Sequence, residues 1–348
     1  MSNTYSKPCR AAVLGASGFA GGELLRILSR HPGIEVVAAA ASSQVGKPLA
    51  HAYPGLGLDG AFLPVEAALA AEPDVLFASL PHTQSMAVLG GWEGPVAIDL
   101  GGDFRLDEPA AYEQWYGEPH DYPEQMSRWT YGLTEWHRAE VSAARRVANP
   151  GCYPTASILP LAPLLAAGAI TPSGIHIDAQ SGVSGAGRAS GEGFDFVAVN
   201  ENLRPYSPTG HKHIAEIEQD LSAVAGAEVV VSFVPHLVPV TRGLLATCSA
   251  PLAHPATTPE LLAVLHDRYD AEPFVRVLDA DRLPETRRVT GTNVAEVTVR
   301  VDTRSGRAIA MAAIDNLGKG AAGQAVQNAN LMLGFPEVTA LDVAGLLP

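Results

Sequence analysis

Ala11-Ala12-Val13-Leu14-Gly15-Ala16-Ser17-Gly18-Phe19-Ala20-Gly21 is the stretch on which the fold turns. Residues 11–15 form a short run without polar side chains, the pattern of a parallel strand buried on both faces. Glycines then recur at every third position, Gly15, Gly18 and Gly21, with Gly22 and Glu23 behind them. Apolar residues at helical spacing follow at Leu24, Leu25, Ile27 and Leu28, and Pro32-Gly33 ends the helix. Ile34–Ala41 supplies a second strand. Strand, glycine loop, helix and strand make the unit that seats a pyrophosphate on a helix N-terminus, where unpaired N–H groups and the helix dipole favour an anion. The spacing is G-x-x-G-x-x-G rather than G-x-G-x-x-G, so the flanking strand and helix carry the argument. The contacts expected for a dinucleotide are Gly15, Ser17, Gly18, Phe19 and Ala20.

The end of the second strand bears on which dinucleotide is bound. An acidic residue there would hydrogen-bond the ribose 2′-OH of NAD. The chain instead has Ala41-Ser42-Ser43-Gln44-Val45-Gly46-Lys47. Two hydroxyls, Ser42 and Ser43, and a lysine suit a 2′-phosphate, so NADP(H) is the expected cofactor. Further strands are expected at Asp74–Leu80, before Pro81-His82-Thr83-Gln84-Ser85, and at Val96–Leu100, before Gly101-Gly102-Asp103-Phe104-Arg105. Strand ends of this kind line the ligand crevice of an open α/β sheet. Arg105 is the candidate there for gripping an anionic group, since a guanidinium binds carboxylate or phosphate through two parallel hydrogen bonds.

Asn149-Pro150-Gly151-Cys152-Tyr153-Pro154-Thr155 places a cysteine in a rigid turn just before an apolar run. The turn reads as a helix start, with a helix to about residue 167. A helix N-terminus favours thiolate over thiol, and its N–H groups can hold an oxyanion. Cys152 is therefore expected to be a nucleophile with a lowered pKa. Ile175–Gln180 reads as a strand leading into Ser181-Gly182-Val183-Ser184-Gly185-Ala186-Gly187-Arg188, whose small residues allow close backbone approach to a ligand. His211-Lys212-His213 opens a further helix with Glu216 on it. Two histidines two residues apart on a helix do not share a face, so only one is expected to reach a given site, and a metal pair is disfavoured. A cysteine nucleophile needs a general base, and this cluster is the best candidate for it. Val229–Pro235, Gly243–Cys248, Asn293–Val301 and Ile309–Ile314 are strand-like, with helices at about 214–223 and 258–270 between them. Arg242-Gly243 joins two of these strands and is a candidate to face the site. Asp315-Asn316-Leu317-Gly318-Lys319-Gly320 then opens a C-terminal helix that is expected to return to the first domain.

The expected fold class is α/β: a Rossmann-type dinucleotide-binding domain at 1–150, completed by the C-terminal helix 317–348, and an α+β catalytic and dimerisation domain at 151–316 with a mixed, largely antiparallel sheet. The 348 residues carry 47% hydrophobic and 17% charged residues, enough apolar content for two cores. With a formal net charge of −14 and no basic run, nucleic acid and membrane surfaces are not expected as partners. Cys9, Cys152 and Cys248 are an odd number, widely spaced, and suggest neither a disulfide framework nor a metal site. Residues 1–10 lack a signal-peptide core, so a cytoplasmic location is expected.

Taken together, Gly15–Gly21, Leu80-Pro81-His82, Asp103-Phe104-Arg105-Leu106, Tyr131-Gly132-Leu133, Pro150–Thr155, Ser181–Arg188, His211-Lys212-His213 with Glu216, and Asp315–Gly320 resemble the N-acetyl-γ-glutamyl-phosphate reductase family, within the aspartate-semialdehyde dehydrogenase superfamily. The resemblance implies Cys152 as nucleophile and His211 as acid/base. It implies Arg105, Asn149, Arg188, His213 and Glu216 at the substrate, and Pro81, Ser184, Gly185 and Asn316 at the cofactor. It implies a small-molecule acyl phosphate as substrate and a homodimer or homotetramer. The chain departs from the family pattern at Thr134 and Trp136, where Pro and Leu are usual, and at Lys212, where Arg is common. It also lacks the Ser-Arg pair associated with 2′-phosphate recognition after the second strand. Rival readings are the same chemistry on aspartyl phosphate or an aminoadipyl analogue, a non-catalytic NADP-sensing protein, and a Cys–His hydrolase.

Overall fold

A computed structural model describes residues 7–188 and 193–345. Both ends of the expected dinucleotide-binding domain, 1–6 and 346–348, and residues 189–192 of the second domain lie outside the described residues. The strands form two sheets. The first is built from β1 (Cys9–Leu14), β2 (Ile34–Ala39), β3 (Val75–Ala78), β4 (Val96–Asp99), β5 (Thr130–Tyr131) and β6 (Arg146–Ala148). Its order is β2-β1-β3-β4-β6-β5, with every pairing parallel. The second contains β7 (Ile175–Gly182), β8 (Arg204–Pro205), β9 (Val231–Val238), β10 (Leu244–Pro251), β11 (Val275–Val277), β12 (Ala295–Asp302) and β13 (Arg307–Ile314). It runs β11-β12-β13-β10-β7-β9-β8 and is mixed: β11–β12 and β7–β9 are parallel, the other pairs antiparallel. The second strand is shorter than its apolar run: past Ala39, the Ala40 N–H still donates to the Val13 carbonyl of β1 at 2.8 Å, and Ala40 also bridges to Leu63.

Six helices carry the argument: α1 (Phe19–Leu28), α2 (Thr134–Ala143), α3 (Cys152–Ala166), α4 (His213–Ala225), α5 (Thr258–Tyr269) and α6 (Gly323–Met332). Alternation along β1 explains the layering of the first sheet. Ala11 and Val13 pack with Leu24 and Leu25 of α1 and Val326 and Ala329 of α6, whereas Ala12 and Leu14 pack with Met86 and Leu89 on the other face. Over the second sheet, α3, α4 and α5 form one apolar layer with the inward residues of β7, β9, β10, β12 and β13. α5 starts with a capping box between Thr257 and Glu260. Along β10 buried positions on the helix-covered face alternate with half-buried positions on the other face. Cys248 lies in β10 as a fully buried packing residue. Among the described residues no helix is long and apolar enough to cross a membrane.

Two polar ties join segments distant in the chain. Arg242, expected to face the site, lines a cleft with Gly18, Phe19 and Ser184 and also reaches α1: Nη2 donates to Glu23 Oε2 at 2.7 Å, and Nη1 donates to Asp315 Oδ2 at 3.1 Å. The second tie is buried. Lys319, in a single π-helical turn (Gly318–Ala322), donates from Nζ to Glu135 Oε1 of α2 at 2.6 Å, with both side chains fully buried. α6 itself packs on α1 and α2, so the chain's end returns to the first sheet.

Candidate active site

Cys152 is the first residue of α3, with Gly151 at the N-cap and no side chain capping the helix. The turn before it is clamped from α4 and the first sheet. The Gly151 N–H donates to Glu216 Oε1 at 2.7 Å, and the Tyr131 hydroxyl donates to the same oxygen at 2.7 Å. Arg105 Nη1 donates to Glu216 Oε2 at 3.3 Å, and its Nη2 donates to the Leu100 carbonyl at 2.8 Å. His213 Nε2 lies 3.4 Å from Arg105 Nη1. A Cβ on Gly151 would come within 2.5 Å of His213 Nε2 and 2.9 Å of Arg105 Nη1, so the turn's backbone sits directly against both. Glu216 and Arg105 are buried, and their charges compensate one another. Arg105 Nε and His213 Nδ1 are buried without a hydrogen-bond partner, as befits groups awaiting a polar ligand.

The expected low thiol pKa is corrected by the structure. Burial pushes the Cys152 thiol up to about 11, outweighing the Arg105 charge and the Tyr153 and Cys152 backbone N–H groups that favour thiolate. The histidines compensate. Burial, aided by the neighbouring Lys212 charge, lowers His211 to about 4, and burial holds His213 well below the ordinary histidine value. Thiol and imidazoles are thereby all held in their neutral forms.

The placement of those histidines also differs from the expectation of diverging side chains. α4 begins at His213 with Lys212 as its cap, so His211 precedes the helix. The two rings lie 4.8 Å apart, and the His213 N–H donates to His211 Nδ1 at 3.2 Å. Tyr153, Tyr206 and Phe233 surround the His211 ring. The Tyr206 hydroxyl donates to that of Tyr153 at 2.9 Å.

Three expected contacts are redirected. Asn149 spends its amide on α6 and the turn before it: Nδ2 donates to the Ala321 carbonyl at 3.1 Å and Oδ1 accepts from Asn328 Nδ2 at 3.1 Å. It holds the turn from behind. Arg188 lies away from Cys152, with its guanidinium 5.0 Å from the centroid of the Phe19 ring. Asn316 accepts from the Gly243 N–H at 2.8 Å and donates to Ser184 Oγ at 2.8 Å, so its side chain positions the Ser184 loop.

Sequence reasoning assigned no role to Tyr131, and read the glycine spacing around Gly320 only as permitting close backbone approach to a neighbouring element or the nicotinamide. A Cβ on Gly320 would lie 2.7 Å from the Cβ of Cys152, so only glycine lets the π-helical turn pass this close. The Gly318-Lys319-Gly320 spacing was the available signal. Gly320→Ala should displace the thiol and lower kcat by about 100-fold, since ångström-scale misplacement costs that much. Steady-state kinetics beside nucleotide titration checks this: unchanged kcat would contradict the contact.

The glycine loop fits a dinucleotide. Gly15 has φ +70°, and a Cβ there would fall 1.9 Å from the Ser79 carbonyl oxygen, so the loop hugs the sheet only as glycine. Gly18 caps α1 without a side-chain hydrogen bond, which leaves the helix N–H groups to a ligand. A cleft of about 320 Å³ runs from Gly18 and Phe19 to Ser184 and Arg188. Ala20 lies in the first turn of α1, and Gly185 beside Ser184 in the 3₁₀ turn Val183–Ala186. Pro81, Ser42 and Ser43 are exposed beyond the ends of β3 and β2. Ser17 lines a second, smaller recess next to the cleft.

A parallel nucleotide sheet joined to a mixed sheet, with a cysteine turn between them, defines the semialdehyde dehydrogenase class. Residues 10–144 match the family model "Semialdehyde dehydrogenase, NAD binding domain", and residues 152–316 match "Semialdehyde dehydrogenase, dimerisation domain". The chain belongs to the N-acetyl-gamma-glutamyl-phosphate reductase family. Reductases of that name from Moorella thermoacetica and Symbiobacterium thermophilum are each 49% identical to it, over 97% of this chain and 99% and 98% of theirs. Among solved structures, aspartate semialdehyde dehydrogenase II from Vibrio cholerae superposes with a TM-score of 0.73 at 20% identity, covering 94% of this chain and 99% of the other. The Candida albicans aspartate semialdehyde dehydrogenase with NADP gives 0.66 at 19%, covering 94% and 99%.

Proposed function

We propose that the chain reduces N-acetyl-γ-glutamyl phosphate to N-acetylglutamate γ-semialdehyde and phosphate with NADPH, a step of arginine biosynthesis, through a thioester on Cys152. The observation that carries this reading is the Gly151-Cys152 turn, clamped by Glu216 and Arg105 against His213, in a chain 49% identical to reductases of that name. Residues 1–150 with 317–348 bind the cofactor in this reading, and residues 151–316 carry the chemistry. The half-buried face of the second sheet is the surface through which a cytoplasmic homodimer or homotetramer would assemble.

Catalysis begins with a protonated thiol and a neutral histidine. Sulfur attacks the acyl carbon while the imidazole takes the thiol proton. The backbone N–H groups of Cys152 and Tyr153, which favour negative charge at the sulfur, would stabilise the oxyanion that forms. The C–O bond to phosphate breaks, phosphate leaves with the electron pair and is protonated from solvent, and a thioester remains. Gly15, Ser17, Gly18, Phe19 and Ala20 would hold the dinucleotide phosphates, with Pro81, Ser184 and Gly185 toward the nicotinamide. NADPH, when bound, supplies the hydride that reduces the thioester carbon. The imidazolium protonates the resulting oxygen, giving a thiohemiacetal. It then takes that proton back as the C–S bond breaks, releasing semialdehyde and thiolate. Arg105 orients the anionic substrate beside the reacting carbon.

His211 is the acid/base in this reading, and His211→Asn should lower kcat by about 100-fold or more with KM little changed. A second reading gives the role to His213, favoured by the approach of its Nε2 to Gly151. A large kcat loss in His213→Asn with none in His211→Asn selects that alternative. The substrate assignment is tested by phosphate-dependent reduction of NADP⁺ with N-acetylglutamate γ-semialdehyde, beside aspartate semialdehyde and beside NAD⁺. Turnover with aspartate semialdehyde alone would transfer the same chemistry to another acyl phosphate.

A further inference from the structure

We infer that the 2′-phosphate of NADPH is held by Arg188, delivered from the second half of the chain, together with Lys47 from the loop after β2. The inference deepens the NADPH reading and rests on it.

The carrying feature is a recess of about 200 Å³ lined by Ser17, Gln44, Lys47, His51, Tyr53 and Arg188 among others. Among the described residues no aspartate or glutamate lines it. In a chain of net charge −14, side chains capable only of positive charge converge on this one hollow. Lys47 and Arg188 form no ion pair among the described residues, although other arginines do. Their charges are therefore available to an anion rather than spent on the protein.

The place of the recess specifies the anion. Ser17 belongs to the glycine loop that would seat the pyrophosphate, and Gln44 and Lys47 follow β2, the strand whose end approaches the adenosine ribose in units of this kind. A phosphate ester on that ribose would project between the loop and Lys47. Arg188 closes the same space from the other side. Its guanidinium lies over the Phe19 ring at 5.0 Å, a cation–π contact that fixes the head group beside the start of α1. The Tyr53 hydroxyl donates to the Ala16 carbonyl at 2.8 Å and forms the floor. Arg188 and Tyr53 also line the larger cleft that reaches Ser184, so one ligand can occupy both hollows continuously. Ser42 and Ser43, expected at the 2′-phosphate, are exposed and do not line the recess. A planar guanidinium and an ammonium on one phosphate make a strong, charge-assisted site.

The test uses the whole protein and calorimetric titration of adenosine 2′,5′-bisphosphate against 5′-AMP, on the wild type, Arg188→Gln and Lys47→Gln. Arg188 is exposed, so its substitution leaves the core intact. The wild type should prefer the bisphosphate. Arg188→Gln should lose about 10- to 100-fold in bisphosphate affinity, the size of a charge-assisted contact, with AMP affinity unchanged, and Lys47→Gln should lose less. An Arg188→Gln protein that keeps the full preference overturns the assignment, as does one that instead raises the KM for the acyl phosphate alone. A wild type without preference for the bisphosphate points to failure of the NADPH reading itself, a distinct outcome.

Discussion

Cys152→Ala should lower turnover by roughly 10⁴- to 10⁶-fold, the range seen when a covalent nucleophile is deleted. The reason lies in the division of labour at the site. Arg105, Glu216 and the backbone of the turn arrange the substrate, but only sulfur offers electrons to the acyl carbon. Without it, hydride would have to reach the acyl phosphate directly, with no thioester to accept it. Glycine-loop contacts lie in the other half of the chain and should be untouched, so nucleotide titration should give the wild-type affinity. Cys152→Ser tests the same idea more finely: its hydroxyl is a weaker nucleophile and should also be nearly inactive. A residual rate within tenfold of wild type in either variant would remove the thioester from the scheme.

Lys319→Met should destabilise the fold by about 3–5 kcal/mol, the cost of leaving a buried charge without its partner. Lys319 and Glu135 are both fully buried, and Glu135 Oε1 also accepts from Gln327 Nε2 at 3.0 Å. Burial alone would push the Glu135 carboxyl up, but the Lys319 ammonium outweighs it and holds the group below the usual carboxylate range. Arg138 bridges Glu272 and Glu337 beside the pair, so the network joins α2, the π-helical turn and the C-terminal segment. Because Gly320 follows Lys319 directly, the variant should lose activity at temperatures where the bulk of the fold survives. Urea unfolding measures the loss. The double variant Glu135→Leu/Lys319→Met should be less destabilised than Lys319→Met, since both charges leave together. Equal stability of wild type and Lys319→Met would show the pair to be without weight.

The parts of this fold legible in the sequence are those with local signals. Gly15 and Gly18 join a buried strand to a helix that holds Gly21 in its first turn, the context that marks a nucleotide loop, and the Pro-Gly-Cys turn starts its helix as the pattern requires. What the sequence hid depends on contacts between distant segments. The thiol pKa was misjudged because the helix N-terminus is visible in sequence while the burial that outweighs it is not. The histidines were placed on diverging faces because the helix begins two residues later than its apolar pattern suggests. Asn149 and Asn316 stand in ligand-facing motifs, yet their amides are consumed by α6 and its preceding turn and by the Ser184 loop. Arg188 could not be paired with Phe19 and Lys47 from spacing, since only the packing of one sheet's loop on the other's helix brings them together.

The most direct test of the central claim is the intact mass of the protein mixed with N-acetyl-γ-glutamyl phosphate in the absence of NADPH. The account predicts a gain of one N-acetylglutamyl group, located by peptide mapping on Cys152 and discharged on adding NADPH with release of the semialdehyde. An unmodified Cys152 under conditions where turnover with NADPH is fast, or an acyl group on any other residue, would contradict it.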